Sequence, residues 1–243
     1  MTKKVLKNEE KEDEELPVST SNKILSPDIM GQNFQIRQGY VEISGLLFPN
    51  RHYVMTYFES ITGWTSLILG SGANTARLGS LYLKTGLTIN SRAGIANDNL
   101  SVVIMNFINK DSVFVTTLAI PTLTGSAFDS YFGVGELLAG GETDQGYGFR
   151  VLNDVLYSYV EVAGVQVTTP ITGITLGNSN VYSAKNNTSK RIVTFYVNGE
   201  LKTSMGANFG LGANETRFVF YITNTAASNR EVYINHAIYA QNI

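Results

Sequence analysis

The chain of 243 residues contains no cysteine, and only 16% of its residues are charged. Without cysteine the protein can form no disulfide, no thiolate metal site and no cysteine nucleophile. The formal net charge of −2 indicates no basic surface for a nucleic acid. The low charge and the 23 glycines favour sheets and turns over helices.

Two kinds of apolar segment are also missing. The first 20 residues have no apolar stretch of the kind that a secretory signal peptide needs. The most apolar window, YVMTYFESITGWTSLILG, is interrupted by Glu59, so no charge-free run reaches the roughly 20 residues of a membrane helix. We therefore expect a protein that does not use the standard secretory route and is not inserted in a membrane.

The amino-terminal 30 residues differ in composition from the rest of the chain. Residues 3–15 are mostly lysine and acidic residues, so this segment has little apolar surface to offset the entropy of ordering. It is either a solvated tail or an anchoring arm that orders on a partner. For the arm, the anchoring contacts are expected from its apolar residues Val5, Leu6, Leu16, Val18, Ile24 and Leu25. We divide the chain into this arm (1–30) and one domain (31–243).

From residue 33 onward, short segments rich in Val, Ile, Tyr, Phe and Thr alternate with turn-forming residues, which is typical of half-buried strands. No segment shows a sustained helical repeat of apolar residues. Many strands with regular turns predict an all-β sandwich or barrel. The strand segments are FQIRQGYVEISG, LSVVIMNFIN, DSVFVTTLAI, YGFRVL, VLYSYVEV, VQVTT, RIVTFYV, RFVFYIT and EVYINHAIYA. The turn-forming pairs between them include Asn153-Asp154 and Ala163-Gly164.

The segment FYVNGELKTS predicts a hairpin around Asn198-Gly199. A type I′ turn needs positive φ at both central residues, which Asn and Gly tolerate. On the strand before the turn, Val193, Phe195 and Val197 form an apolar face, and the opposite face is partly polar. The sequence leaves open which face points inward, because the register depends on the neighbouring strands.

Three segments resemble the concanavalin A-like lectin and glucanase (laminin-G-like) sandwiches, including those of bacteriophage structural proteins. They are GYGFRVLNDVLYSYVEVAG, similar to the paired strands of a ligand-facing surface; RIVTFYVNGELKTS, similar to a hairpin of that superfamily; and RFVFYITNTAASNREVYINHAIYA, similar to its closing strand pair. The resemblance spans about residues 33–243. It implies an all-β, two-sheet antiparallel jelly-roll sandwich, preceded here by an extended charged amino-terminal arm.

The glycosidases of this superfamily carry an E-x-D-x-E-type strand, and this sequence has none. Retaining hydrolysis needs two carboxyls about 5 Å apart. The nearest acids, Glu136, Glu142 and Asp144, fall in a glycine-rich segment. We therefore predict no catalytic residues and no enzymatic activity. The acidic and amide residues also lack the compact spacing of a calcium-type site, so no metal and no cofactor are predicted.

A ligand surface is the remaining candidate site. Tyr157 and Tyr159 share one face of a strand by parity, and an aromatic ring with a polar tip suits contact with a sugar or a partner chain. If that face is exposed to solvent, these rings are ligand contacts. If it faces the interior, they are core residues. The candidate ligand-binding residues are Tyr147, Arg150, Asn153, Tyr157 and Tyr159.

The leading functional hypothesis is a non-enzymatic virion structural protein, as a capsid decoration, head fibre or tail component. The arm would anchor it to other virion proteins, and the sandwich would project towards host-surface glycans. It would assemble in the host cytoplasm and form a homo-oligomer, with no nucleic-acid partner. The alternative is a carbohydrate-binding, lectin-like module or receptor-binding tip. A glycan-cleaving enzyme is a third class, and it is disfavoured by the missing carboxylate strand.

Overall fold

The computed structural model describes residues 35–37, 40–43, 46–49, 52–58, 60–62, 64–97, 108–121, 127–137, 143–209 and 216–241. These residues form strands, turns and loops and contain no helix. Accordingly, none of these residues belongs to a helix that could cross a membrane. The predicted arm and its apolar anchoring residues lie outside the described residues.

The described residues form eighteen strands. The first nine are β1 (Gln35–Arg37), β2 (Tyr40–Ile43), β3 (Leu46–Pro49), β4 (His52–Tyr57), β5 (Trp64–Ser66), β6 (Ala73–Arg77), β7 (Ser80–Lys84), β8 (Arg92–Asn97) and β9 (Ser112–Ala119). The other nine are β10 (Phe128–Leu137), β11 (Thr143–Leu152), β12 (Val155–Val162), β13 (Val165–Ile171), β14 (Asn180–Asn187), β15 (Ile192–Val197), β16 (Glu200–Gly206), β17 (Thr216–Asn224) and β18 (Glu231–Gln241).

Two large antiparallel sheets make up the body. The seven-stranded sheet has the order β13-β12-β11-β10-β17-β8-β5. The eight-stranded sheet has the order β16-β15-β14-β9-β18-β7-β6, with β4 also paired to β18. β1, β2 and β3 form a separate three-stranded sheet. The prediction of an all-β, two-sheet antiparallel jelly-roll sandwich is confirmed.

The predicted segments from DSVFVTTLAI to EVYINHAIYA became strands, namely β9, β11, β12, β13, β15, β17 and β18, and FQIRQGYVEISG contains β1 and β2. The predicted strand LSVVIMNFIN lies almost entirely outside the described residues. Four interior strands gave no such signal, β7, β8, β10 and β14. The last two show why. β10 carries an aspartate and two glycines, and β14 has the polar sequence NVYSAKNN. Both strands are held between neighbours on either side, so tertiary pairing outweighs their weak intrinsic preference.

The Asn198-Gly199 turn is confirmed. Both residues have positive φ, 53° and 79°, and they join β15 to β16. The structure also settles which face of β15 is inward, because Val193, Phe195 and Val197 are buried in the core. Residues of the opposite parity, such as Tyr196, are half-buried on the outside.

The core lies between the two large sheets and is rich in aromatic rings. Phe132 and Phe149 of the seven-stranded sheet stack with ring centroids 5.5 Å apart. Phe149 also meets Tyr182 and Phe195 of the eight-stranded sheet edge-to-face, at 5.3 and 5.5 Å. Aromatic pairs in these geometries stabilise beyond the area that they bury, so this cluster is a principal link between the sheets.

The β6–β7 hairpin contains a strained residue. Leu78 and Gly79 occupy its two-residue turn with φ of 52° and 78°, and the Leu78 side chain is 90% exposed. A non-glycine residue in this left-handed region pays about 1–2 kcal/mol, whereas asparagine tolerates it better. We expect Leu78→Asn to raise the free energy of unfolding by about 1 kcal/mol, measured by urea denaturation.

The control for this prediction is Leu87→Asn. Leu87 is also an exposed leucine, 70% accessible, but its φ is not positive. It should show no comparable gain. Equal stabilities of the Leu78→Asn variant and the parent protein would contradict the strain assigned to the turn.

Candidate functional site

The outer face of the seven-stranded sheet, turned away from the core, gathers polar and aromatic side chains from several strands. Antiparallel register aligns side chains in rows across the sheet, because directly opposed residues point to the same face. One row, which we call the tyrosine row, consists of Tyr221, Tyr131, Arg150, Tyr157 and Pro170. The next row consists of Val219, Gly133, Gly148, Tyr159 and Thr168, and we call it the glycine row.

The two glycines of the glycine row, Gly133 and Gly148, lie where the neighbouring backbone leaves no room for a Cβ atom. A Cβ atom at Gly148 would lie 2.5 Å from the Phe132 carbonyl oxygen and 2.6 Å from the Gly133 Cα atom. The phenol oxygen of Tyr159 lies 3.0 Å from the place of a Cβ at Gly133. The two glycines therefore leave space on the sheet that the Tyr159 side chain occupies.

Four planar side chains stack in sequence, three from the tyrosine row and Arg92 from the adjacent row, where it is opposite Thr223. The Tyr131 and Tyr221 rings are stacked with centroids 4.9 Å apart. The Arg92 guanidinium lies 4.7 Å from the Tyr221 ring centroid, and the Arg150 guanidinium lies 4.9 Å from that of Tyr131. We call this arrangement of Arg92, Tyr221, Tyr131 and Arg150 the ladder. All four side chains are half-buried.

Hydrogen bonds fix one end of the ladder. Arg150 donates from Nε and Nη2 to the two carboxylate oxygens of Asp129, at 2.9 and 2.7 Å. Its Nη1 donates to Gln166 Oε1 at 2.9 Å, and the Tyr131 hydroxyl donates to the same oxygen at 3.3 Å. At the other end, Arg92 Nε donates to Thr223 Oγ1 at 3.1 Å. Bidentate pairs of this kind are directional, so the ladder is held in place without a ligand.

The protonation states follow from burial and neighbouring charges. Burial, followed by the Asp129 carboxylate, raises the pKa of Tyr131 to about 12. Burial and the neighbouring Tyr131 also raise the pKa of Tyr221 well above its usual value. The hydrogen bonds to Asp129 raise the pKa of Arg150. At neutral pH the face therefore presents neutral phenols and charged guanidinium groups, which donate hydrogen bonds.

The structure places the five predicted ligand residues in different environments. Arg150, Tyr157 and Tyr159 share the outer face, although Tyr159 is only 2% exposed. Tyr131 meets Tyr159 edge-to-face at 5.5 Å, which covers its ring. Asn153 lies in the β11–β12 turn with φ of 48°, exposed to solvent. Tyr157 and Arg150 are thus the members of the predicted set that are both on this face and accessible.

Tyr147 does not belong to this surface, and its assignment as a ligand contact is wrong. It lies on the inner face of β11, completely buried, and its hydroxyl is 2.9 Å from Ser112 Oγ of the eight-stranded sheet. Burial raises the pKa of its phenol well above the usual value. Tyr147 is a core residue that joins the two sheets.

Sequence reasoning missed Tyr131, Tyr221, Asp129, Gln166 and Arg92. In β10 and β17 the outward tyrosines alternate with inward phenylalanines. This alternation was the sequence signal that could have placed Tyr131 and Tyr221 on the outer face. It was not sufficient, because β10 and β17 are neighbours only through the strand order of the folded sheet.

Two carboxylates are present among the described strand side chains of this face, and they are far apart. Asp129 is opposite Leu152, which in turn is opposite Val155. Glu161 lies six residues further along β12, about 20 Å at the usual rise per residue. The side chains of Glu136, Glu142 and Asp144 lie outside the described part. Within that part, no three acidic or histidine side chains converge in a way that could hold a metal ion.

The two packed antiparallel sheets have the concanavalin A-like sandwich fold of lectins and glucanases, as the resemblance implied. Among solved structures, the chain is similar to a Bacillus licheniformis β-glucanase with a TM-score of 0.60 and 11% identity, covering 78% of this chain and 98% of that one. It is also similar to the potassium-bound carbohydrate recognition domain of Emp46p, with a TM-score of 0.56, 10% identity, and coverage of 77% and 95%.

A protein of unknown function from Shewanella oneidensis MR-1 is similar as well, with a TM-score of 0.56, 13% identity, and coverage of 79% and 86%. No protein-family model and no curated protein matches the sequence. At these identities the similarity concerns the fold. The neighbours include both enzymes and carbohydrate-binding domains, and they lend no support to a virion role, which stays a prediction.

Proposed function

We propose that the protein is a non-catalytic, lectin-like carbohydrate-binding module whose binding surface is the outer face of the seven-stranded sheet. The observation that carries this proposal is the ladder of Arg92, Tyr221, Tyr131 and Arg150, half-buried and already fixed by its own contacts. Fixed aromatic and polar groups lose little entropy when a ligand binds, so their contacts contribute fully to affinity.

The chemistry of the ladder suits a polyhydroxylated ligand. Neutral phenols donate and accept hydrogen bonds, and guanidinium groups donate several in a plane. The ring edges between them are apolar and can contact the C–H groups of a sugar. Tyr157, the next member of the tyrosine row, extends this surface by one strand. A chain of sugars lying across the strands would meet these groups in succession.

Binding without cleavage is supported by the arrangement of the acids. Glycosidases need two carboxyls about 5–10 Å apart, and Asp129 and Glu161 are about twice that distance from one another. Both oxygens of Asp129 are also held by Arg150. A carboxylate with both oxygens bound to an arginine is not free to donate a proton to a leaving group or to attack a sugar. We expect no release of reducing sugar from any polysaccharide.

The proposal predicts that Tyr221→Ala weakens polysaccharide binding by about tenfold or more, which equals about 1.4 kcal/mol. The variant loses the stacking partner of Tyr131 and the support of Arg92. Binding is measured by affinity electrophoresis and calorimetry on a panel of mixed-linkage β-1,3-1,4-glucan, cellulose, chitin and mucin. Tyr221→Phe, which keeps the ring and removes the hydroxyl, should give an intermediate loss.

The matched control is Tyr233→Ala. Tyr233 packs against Tyr82 with ring centroids 4.9 Å apart, and this pair lies on the outer face of the eight-stranded sheet. Its loss should leave the affinity unchanged. The proposal fails if the folded parent protein binds no member of the panel, or if both alanine variants weaken binding equally. Any hydrolysis by the parent protein would contradict the non-catalytic part. Hydrolysis that survives removal of Glu136, Glu142 and Asp144 would show that its acids lie elsewhere.

The display of this module on a virus particle remains a prediction from the sequence, as do its cytoplasmic assembly and its homo-oligomeric state. Its test is deletion of residues 1–25. Loss of incorporation into purified particles, with an intact sandwich, is the expected result. Truncated protein that is still found on the particles would count against an anchoring arm.

A further inference from the structure

A hollow lies away from the ladder, where β14 ends, β15 begins and β16 ends. Its volume is about 490 Å³, within the usual range for small-molecule sites. Three chain segments form its described walls, residues 108–109, 186–191 and 207–209. Phe209 on its wall contacts Tyr147, a residue of the core, with ring centroids 6.1 Å apart. The hollow therefore opens at the end of the sandwich and not on the outer face that carries the ladder.

Hydrogen bonds between the segments fix the walls of the hollow. Asn186 Nδ2 donates to the carbonyl oxygens of Ile108 and Lys110, at 3.0 and 3.3 Å. The amide and hydroxyl of Thr188 both donate to Asp111 Oδ1, at 2.8 and 2.7 Å. These bonds tie the β14–β15 turn to the segment before β9. A ligand would thus enter a site whose walls are already in position.

The lining combines groups that suit a sugar. Asn109, Asn186 and Asn208 contribute carboxamides, Thr188 a hydroxyl, and Phe209 an aromatic ring. Carboxamides and hydroxyls both donate and accept hydrogen bonds, as sugar hydroxyls do. The charged residue on the described wall is Arg191. The Asp111 carboxylate is not among the described lining residues, and it already accepts two hydrogen bonds from Thr188. The site therefore favours a hydroxyl-rich ligand with a negative charge.

The backbone of Arg191 is strained. It closes the four-residue turn 188–191 with φ of 53°, a conformation that favours glycine or asparagine. Its carbonyl oxygen accepts a hydrogen bond from the Ala207 amide at 2.8 Å, which holds it at the wall of the hollow.

We propose that this hollow is a second binding site, for a single sugar residue that bears a carboxylate, such as a uronic acid. Arg191 pairs with the carboxylate, Asn109 and Asn208 bind the hydroxyls, and the Phe209 ring contacts the apolar face of the sugar. Asn186 and Thr188 hold the wall in position. The site is separate from the ladder and does not depend on the function proposed for it.

The test is calorimetric and NMR titration of the full chain with glucuronate and, in parallel, with glucose. We expect saturable binding in the millimolar range, with glucuronate favoured about tenfold, because only its carboxylate can form a charge-assisted hydrogen bond with Arg191. Arg191→Gln should remove the preference for glucuronate. Arg77→Gln, which removes an exposed arginine of β6, should leave it unchanged.

Two further variants separate the outcomes. Arg191→Gly places the residue best suited to positive φ in the turn, so it should fold with undiminished thermal stability and still lose the preference. Tyr221→Ala should leave glucuronate binding intact, which distinguishes this site from the ladder. The inference is overturned if the parent protein shows no saturable binding of glucuronate, or if the preference survives in both Arg191 variants.

Discussion

Replacement of Phe195 by alanine is expected to lower the free energy of unfolding by about 3–5 kcal/mol. The ring is fully buried on the inner face of β15, and it packs edge-to-face against Phe149 across the core. Its loss would leave a cavity between the two sheets that neighbouring strands cannot easily fill. Since most domains are stable by about 5–15 kcal/mol, this is a large fraction of the total. Urea denaturation with a two-state fit gives the measurement.

The neighbouring residue provides the control. Tyr196 has a similar size, but it points to the outer face and is half-buried, opposite Leu201 of β16. We expect Tyr196→Ala to cost about 1 kcal/mol, as is usual for a point substitution without a core cavity. Equal losses at the two positions would contradict the inward direction assigned to Phe195 and would indicate a register shifted by one residue.

The hairpins show how much of this fold could be predicted from local sequence. Asn198-Gly199, Asn153-Asp154 and Ala163-Gly164 were predicted as turns, and each pair has positive φ at both residues. A two-residue turn of this type sets the register of its own two strands. The strands next to such turns were therefore recognisable, because turn chemistry and alternation agreed.

The error at Tyr147 shows where local reasoning stops. Tyr147, Tyr157 and Tyr159 were grouped as members of one hairpin, but Tyr147 is opposite Val160 in the register. Because opposed residues share a face, Tyr147 points inward with Val160, while Tyr159 points outward. An offset of one residue across the turn was enough to separate a core residue from a surface residue.

The ladder could not be predicted because it depends on strand order. Tyr131 and Tyr221 belong to β10 and β17, which lie side by side although β11 to β16 intervene in the chain. Arg92 comes from β8, on the far side of β17. No short-range pattern specifies such neighbours, because the pairing is decided by which faces bury the most apolar surface in the folded sandwich. The candidate site thus became visible only with the topology.

The buried histidine makes stability depend on pH. His236 of β18 is 4% exposed, and its Nε2 atom is 3.2 Å from the Thr117 hydroxyl. Burial lowers the pKa of its imidazole from 6.5 to about 4. Between these values the unfolded chain binds a proton that the folded protein does not, so stability rises with pH there. We expect full stability above about pH 6.5 and a loss of about 3 kcal/mol by pH 4 from this group.

The difference between the parent protein and His236→Gln isolates this effect. Both proteins retain His52 and all carboxylates, so groups other than His236 contribute similarly to both curves. The free energy of unfolding of the parent should decline more steeply than that of the variant as the pH falls from 6.5 to 4. NMR titration of the imidazole should give a midpoint near 4. A midpoint near 6.5, or parallel stability curves, would mean that the imidazole is in contact with water in the folded protein and would contradict its burial.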